Sequence, residues 1–161
     1  MGIYLNRNSI FLQTSKGTDI KNEIYQDEPY FPIKKNDEYH KARYSEAIYR
    51  RRGTRKYNCH GLTFANRRTW IADPDDIFII LKDDEYRKIS LNKVVTGDII
   101  VYYKEDRIEI SHTGIVISVG TFNNMPVPFI LSKWAYCGEF IHRYTDCPYF
   151  KKKIEFWTDR K

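Results

Sequence analysis

The side chains best suited to chemistry in this chain are three thiols, Cys59, Cys137 and Cys147, and four imidazoles, His40, His60, His112 and His142. Only a thiolate attacks, and a free thiol with a pKa near about 8.5 is mostly protonated at neutral pH. A cysteine nucleophile therefore needs a position that favours the anion and a base to take its proton, usually histidine. Cys59 follows Asn58, a favoured N-cap, and opens a run without proline that reaches Trp70. At a helix start, unpaired backbone N–H groups and the positive end of the peptide dipoles lower a thiol pKa. The same N–H groups serve the oxyanion of acyl transfer. His112 opens the run His112-Thr113-Gly114-Ile115-Val116-Ile117-Ser118. In a strand His112 and Gly114 share a face, and a strand glycine marks a close approach of another backbone. A helix end carrying Cys59 is expected to pack there, with Cys59 as nucleophile and His112 as general base. An odd number of thiols leaves at least one free or bridging chains. Cys137 and Cys147 either pair in an oxidising compartment or stay as buried free thiols. There is no CxxC pair and the histidines are scattered, so no local zinc signature exists and no cofactor is expected.

The elements that must position these groups read as follows. Residues 1–56 are polar and turn-rich, with a strand near Ile3–Leu5 or Ile10–Gln13 and a helix over Glu38–Arg51. A helix begins at Cys59 and ends before Asp73-Pro74. Thr96-Gly97-Asp98 is a turn leading into the strand Ile99–Tyr103, and charged Lys104–Arg107 suits a hairpin connection. Ile108–Val119 and Pro128–Trp134 are further strands, and Glu139–Tyr144 and Ile154–Trp157 are candidates for edge strands. A helix followed by an antiparallel sheet gives an α+β fold.

Tyr57-Asn58-Cys59-His60-Gly61-Leu62-Thr63-Phe64-Ala65, then Gly97-Asp98-Ile99-Ile100-Val101-Tyr102-Tyr103, then His112-Thr113-Gly114-Ile115-Val116 resemble the NlpC-type and CHAP-type papain-like cysteine peptidases. The resemblance spans roughly residues 55–145, leaving 1–54 as an N-terminal extension of a single domain over 1–161. It implies a cysteine-bearing helix packed on an antiparallel sheet, with Cys59 as nucleophile and His112 as base. The chain has Asn58-Cys59-His60-Gly61 where that superfamily usually has Asp-Cys-Ser-Gly. The polar residue that orients the histidine belongs on the next strand. Ser132 stands nearest that place, with His142 as the other candidate, although a serine brings no charge to an imidazolium. His142, His60 and Trp134 are the implied substrate-binding residues, with His60 alternatively a packing residue. The segment Ser132–His142, with Cys147-Pro148-Tyr149, also resembles uncharacterised bacterial members of the superfamily, often toxin-like domains.

Composition bounds the rest. Of 161 residues, 42% are hydrophobic, enough for one buried core and against a disordered chain. No stretch approaches the roughly 20 apolar residues of a membrane helix. Asn6, Arg7 and Asn8 stand where a signal peptide needs its apolar run, so a cytoplasmic location or a specialised export route is expected. Twenty residues are Ile against 6 Leu, and 16% are aromatic, which favours pleated sheet. The formal charge of +6 favours an anionic partner. Arg50-Arg51-Arg52-Gly53-Thr54-Arg55-Lys56 and Lys151-Lys152-Lys153 are either solvated surface or an anion-binding rim beside Cys59. Aromatics do not interleave with these runs as a nucleic-acid surface requires. The resemblance implies a thiol hydrolase acting on peptidoglycan stem peptides or another anionic peptide, as an endopeptidase or amidase. A bacterial effector toxin of this kind would have an inhibitor or immunity protein as partner. The alternatives are a protease, deamidase or acyltransferase acting on proteins, and an inactive binding module of the same fold.

Overall fold

A computed structural model describes residues 8–27, 30–104, 108–149 and 152–161. The chain order is α1 (Tyr30–Arg43), β1 (Ile48–Arg51), α2 (Cys59–Ala65), α3 (Pro74–Asp83), β2 (Arg87–Ile89), β3 (Ile99–Tyr103), β4 (Ile110–Phe122), β5 (Met125–Lys133), β6 (Glu139–Arg143) and β7 (Lys153–Thr158). The seven strands form one antiparallel sheet in the order β1-β6-β5-β4-β3-β7-β2, so the fold is α+β. Among the described residues no helix is long and apolar enough to cross a membrane.

Both faces of the sheet are buried because strands β3 to β6 alternate apolar residues on each side. One face carries Ile99, Val101, Tyr103 and Ile110 against Ala65, Ile71, Ile77 and Ile80 from α2, α3 and the loop between them. The other carries Ile100, Tyr102, Val116, Ile130, Trp134, Phe140 and Phe156. This second core explains why β3 is buried at every position.

Several boundaries differ from those expected from sequence. The helix starting at Cys59 stops after seven residues, because Asn66 and then Arg67 adopt left-handed backbone (φ 48° and 65°). Asp73-Pro74 does not merely end a helix. The Asp73 carboxylate accepts the Asp75 N–H, and Pro74, with φ preset for a first turn, opens α3. The helix expected over Glu38–Arg51 is displaced to Tyr30–Arg43, and β1 occupies its end. β6 and β7 are interior strands rather than edges, because β1 pairs with β6 and β2 with β7. Residues 30–54 are built into the same sheet and core. Asp37 of α1 is fully buried and accepts the N–H groups of Gly53 and Gly138, tying α1 to both flanks of the β1–β6 pair. Around Ile10–Gln13 there is one isolated bridge, Gln13 to Asp19, and no strand. The strand expected at Ile3–Leu5, residues 105–107 of the expected hairpin and Lys151 lie outside the described residues.

Gly61 makes the short α2 feasible. A Cβ there would stand 1.8 Å from the Thr69 carbonyl oxygen and 3.1 Å from the Tyr57 Cβ. Gly61→Ala is therefore expected to lower stability by about 3 kcal/mol, read as a fall in the urea midpoint. An unchanged midpoint would mean that the Thr69 segment yields freely.

Candidate active site

Asn58 fixes the start of α2 through three bonds. Its Oδ1 accepts the N–H groups of Gly61 (2.9 Å) and Ile71 (3.2 Å), and its Nδ2 donates to the Ile71 carbonyl (2.7 Å). The cap read from sequence is thus present, and it also pins the loop after α2. Cys59, the next residue, is 7% exposed. Burial pushes its thiol up to about 11, although the backbone N–H groups of Thr113 and His60 and the charge of Lys133 pull the other way. This corrects the expectation of a lowered pKa. A seven-residue helix carries a small dipole, and desolvation of the anion outweighs the donors around it.

The side of α2 next to Cys59 is held by a chain of hydroxyls. The Thr63 hydroxyl donates to the Cys59 carbonyl (2.9 Å), and the Thr113 hydroxyl donates to Thr63 Oγ1 (3.1 Å). Thr113 Oγ1 is then left to accept from His60 Nδ1 at 2.9 Å, which leaves His60 Nε2 bare. Burial holds the His60 imidazole down at about 4. His60 is therefore an interior packing residue, not a groove wall.

Thr113 faces α2, so its neighbour His112 faces the other core. The β4–β5 ladder runs from Phe122↔Met125 to Ile115↔Leu131 and ends there, whereas β3–β4 pairing continues through Tyr102↔His112. Cys59 approaches where β4 and β5 stop pairing. The close approach at Gly114 is made by β5 and not by α2: its Cβ would meet Ile130 at 2.4 Å and the Leu131 carbonyl at 3.1 Å. His112 is 0% exposed, and among the described residues neither ring nitrogen has a hydrogen-bond partner. Burial first, then the neighbouring His142 and His60, hold its imidazole well below the usual histidine range. The Tyr149 ring lies flat on it, with centroids 3.7 Å apart and planes 7° apart. Burial raises the Tyr149 hydroxyl well above its ordinary value, and the nearby Cys59 adds to that. Tyr149 thus covers the imidazole and lies close to the sulfur. Sequence reading gave Tyr149 no role, because nothing local shows that the stretch after β6 folds back over β4.

Ser132 does not orient His112. It bonds His142 instead, in a polarised series: Trp134 Nε1 donates to Ser132 Oγ (3.0 Å), the Ser132 hydroxyl meets His142 Nε2 (2.7 Å), and His142 Nδ1 donates to the Arg143 carbonyl (2.7 Å). Ser132, Trp134 and His142 are all buried, and Trp134 stacks on Phe140 at 3.9 Å. The places expected for substrate-binding side chains are thus filled by interior packing, because this face of the sheet is a second core. Cys137 and Cys147 are both buried and form no disulfide with each other.

Lys133, between Ser132 and Trp134, alternates onto the α2 face and is fully buried. Its Nζ donates to the carbonyls of Thr54 (2.9 Å) and Ala135 (2.6 Å) and stands 5.3 Å from the Tyr57 ring centroid. Opposite it in the ladder, Glu139 accepts from Tyr57 (2.6 Å) and from Arg67 Nε (2.6 Å) and Nη2 (3.0 Å). Arg50, Arg51, Arg52 and Lys56 are exposed, and Arg55 lies over the rings of Tyr25 and Tyr136. Among the described residues no group of three or more His, Cys, Asp or Glu side chains is placed to hold a metal ion. Comparison of the chain with family models, with curated proteins and with solved structures found no match.

Proposed function

We propose that the protein is a thiol hydrolase of papain-like, NlpC-type architecture, with Cys59 as nucleophile and His112 as general base. The observation that carries this reading is the junction where the β4–β5 ladder ends. A cysteine at a capped helix start meets the Thr113 N–H there, next in sequence to His112, a fully buried imidazole whose nitrogens have no hydrogen-bond partner among the described residues and whose stacked neighbour Tyr149 lies near the sulfur. Folded proteins seldom leave two buried polar atoms without partners, and such atoms collect at functional centres. In the closed arrangement the thiol is protonated and the imidazole neutral, the protonation states from which general-base attack begins. Substrate would displace Tyr149 from His112, after which Cys59 attacks an amide carbonyl while His112 takes the thiol proton. The N–H groups near Cys59 would hold the oxyanion. His112 then returns the proton to the leaving amine, and water releases the acyl group.

The substrate class that suits a basic chain of this architecture is an anionic peptide, with the peptidoglycan stem peptide first. The test is incubation of isolated cell-wall sacculi with the wild-type protein and with Cys59→Ala. Soluble muropeptides carrying new amine termini are expected from the wild type alone. No release from sacculi, with cleavage of acidic peptides or proteins instead, would move the substrate to a protein target. No thiol-dependent cleavage of any amide would sink the hydrolase reading.

A further inference from the structure

Lys133 is the buried cation of the site, and its role follows from where its charge can act. Its ammonium is fully buried, its hydrogen bonds go to two carbonyls, and among the described residues no carboxylate lies within ion-pair distance of Nζ. Removing a lysine from water without a paired anion is unfavourable. Both carbonyls, of Thr54 and Ala135, are uncharged acceptors. Glu139 across the ladder is already committed to Arg67 and Tyr57. Lys133 directly follows the serine on the strand that parts from β4 beside Cys59, and its Nζ lies over Tyr57, two residues before the cysteine. We propose that Lys133 is a positioning residue of the thiol centre, whose buried ammonium stands ready to hold the negative charge of the Cys59 thiolate.

This assignment rests on the hydrolase reading for its purpose but not for its test. The groups facing the pair are Asp37 from α1, Tyr57 before α2, His60 on α2, His112 on β4, Glu139 on β6, and Cys137 and Tyr149 from the loops. Glu139 is neutralised by Arg67, His60 and His112 are held neutral by burial, and Tyr57 and Cys137 are held neutral with values pushed up to about 12 and about 11. Asp37 accepts from Tyr49, Gly53 and Gly138, and its negative charge favours the Lys133 ammonium. Burial pulls the Lys133 ammonium down to about 8, while Cys137, Asp37 and Cys59 favour it, and its charge in turn favours an anion at Cys59.

The experiment measures iodoacetamide alkylation of Cys59 in the folded full-length chain from about pH 6 to about pH 11, with peptide mapping to separate it from Cys137 and Cys147. Lys133→Met, which replaces a buried charge by an apolar chain of similar shape, is expected to retain the fold. Below about pH 8, where Lys133 carries its charge, the substitution should slow Cys59 alkylation roughly tenfold, with the difference fading at higher pH. Lys133→Gln reads the same quantity should Met disturb packing, and Lys133→Arg is expected to recover part of the rate. A folded Lys133→Met or Lys133→Gln chain whose profile superimposes on the wild type overturns the assignment, as does a wild-type Cys59 inert at every pH where the chain is folded. Alkylation needs no substrate, so this outcome is separate from muropeptide release.

Discussion

A His112→Phe chain is expected to be more resistant to urea than the wild type and to have lost nearly all hydrolytic activity. The wild-type ring places two nitrogens in the interior with no hydrogen-bond partner among the described residues. An unsatisfied buried donor or acceptor costs about 1–3 kcal/mol, and replacing it with an apolar group of the same shape removes that cost. Phenylalanine keeps a planar ring against Tyr149, where the present stack has 3.7 Å between centroids, and against Tyr102 at 5.4 Å. Its slightly larger volume offsets part of the gain, leaving a net stabilisation of about 1 kcal/mol or more. Activity moves the other way. Loss of a general base costs about 10²–10⁴-fold, and here no second imidazole can substitute, because His60 is bound to Thr113 and His142 to Ser132. Paired measurements of urea midpoint and amide cleavage check both halves. A lowered midpoint would show that the imidazole is structurally satisfied. An active His112→Phe chain would remove the base assignment.

Destabilising isolation is what separates His112 from the other histidines, and it could not be read from sequence. The legible features were local. Asn58 before Cys59 read as a cap because side-chain acceptors satisfy nearby N–H groups, and the bonds from Gly61 and Ile71 are there. Alternation gave strands β3, β4 and β5 within a few residues, since runs rich in isoleucine and valine have one stable arrangement in a two-faced core. What was not legible depends on long-range closure. The left-handed turn at Asn66-Arg67, which ends α2 early, follows from tertiary fit around Thr69 and Glu139 rather than from helix propensity. The assignment of β6 and β7 to the interior depends on which strand pairs outside them. Ser132 looked like a partner for His112 because it follows on the next strand, but the ladder ends at Leu131 and turns its hydroxyl toward β6. Lys133 stood between two residues singled out from sequence and was passed over, because a lysine in a strand is usually solvated.

The second large effect is acid sensitivity set by the two neutral, buried imidazoles. In the folded chain His60 titrates at about 4 against an ordinary 6.5, because burial penalises its charged form, and the hydroxyl series through Thr113 and Thr63 fixes the neutral tautomer. In the unfolded chain the same ring takes a proton near about 6.5. Below that value the unfolded state binds more protons than the folded one, so stability falls as pH falls. The contribution is fully present above about 6.5 and is lost progressively down to the folded value of about 4, a span worth about 3 kcal/mol. His112, also held low by burial and by its histidine neighbours, adds loss in the same direction. Buried Glu139 and Asp98 act in a lower window, whereas desolvation raises the carboxyl of buried Asp76. Burial alone would raise Glu139 and Asp98, but Arg67 with Tyr57, and Arg160 with the Val95 N–H, outweigh it and hold both below the usual range. Their contribution persists until the pH falls through those lower values. Between urea midpoints at about pH 7.5 and about pH 5, His60 alone is expected to account for a loss of about 2 kcal/mol. His60→Gln, whose amide can still donate to Thr113, is expected to flatten this slope, and His112→Phe to flatten it further. Equal slopes in all three chains would mean that water reaches the imidazoles in the folded state, and the closed centre beneath Tyr149 would then have to open far more readily than its packing implies.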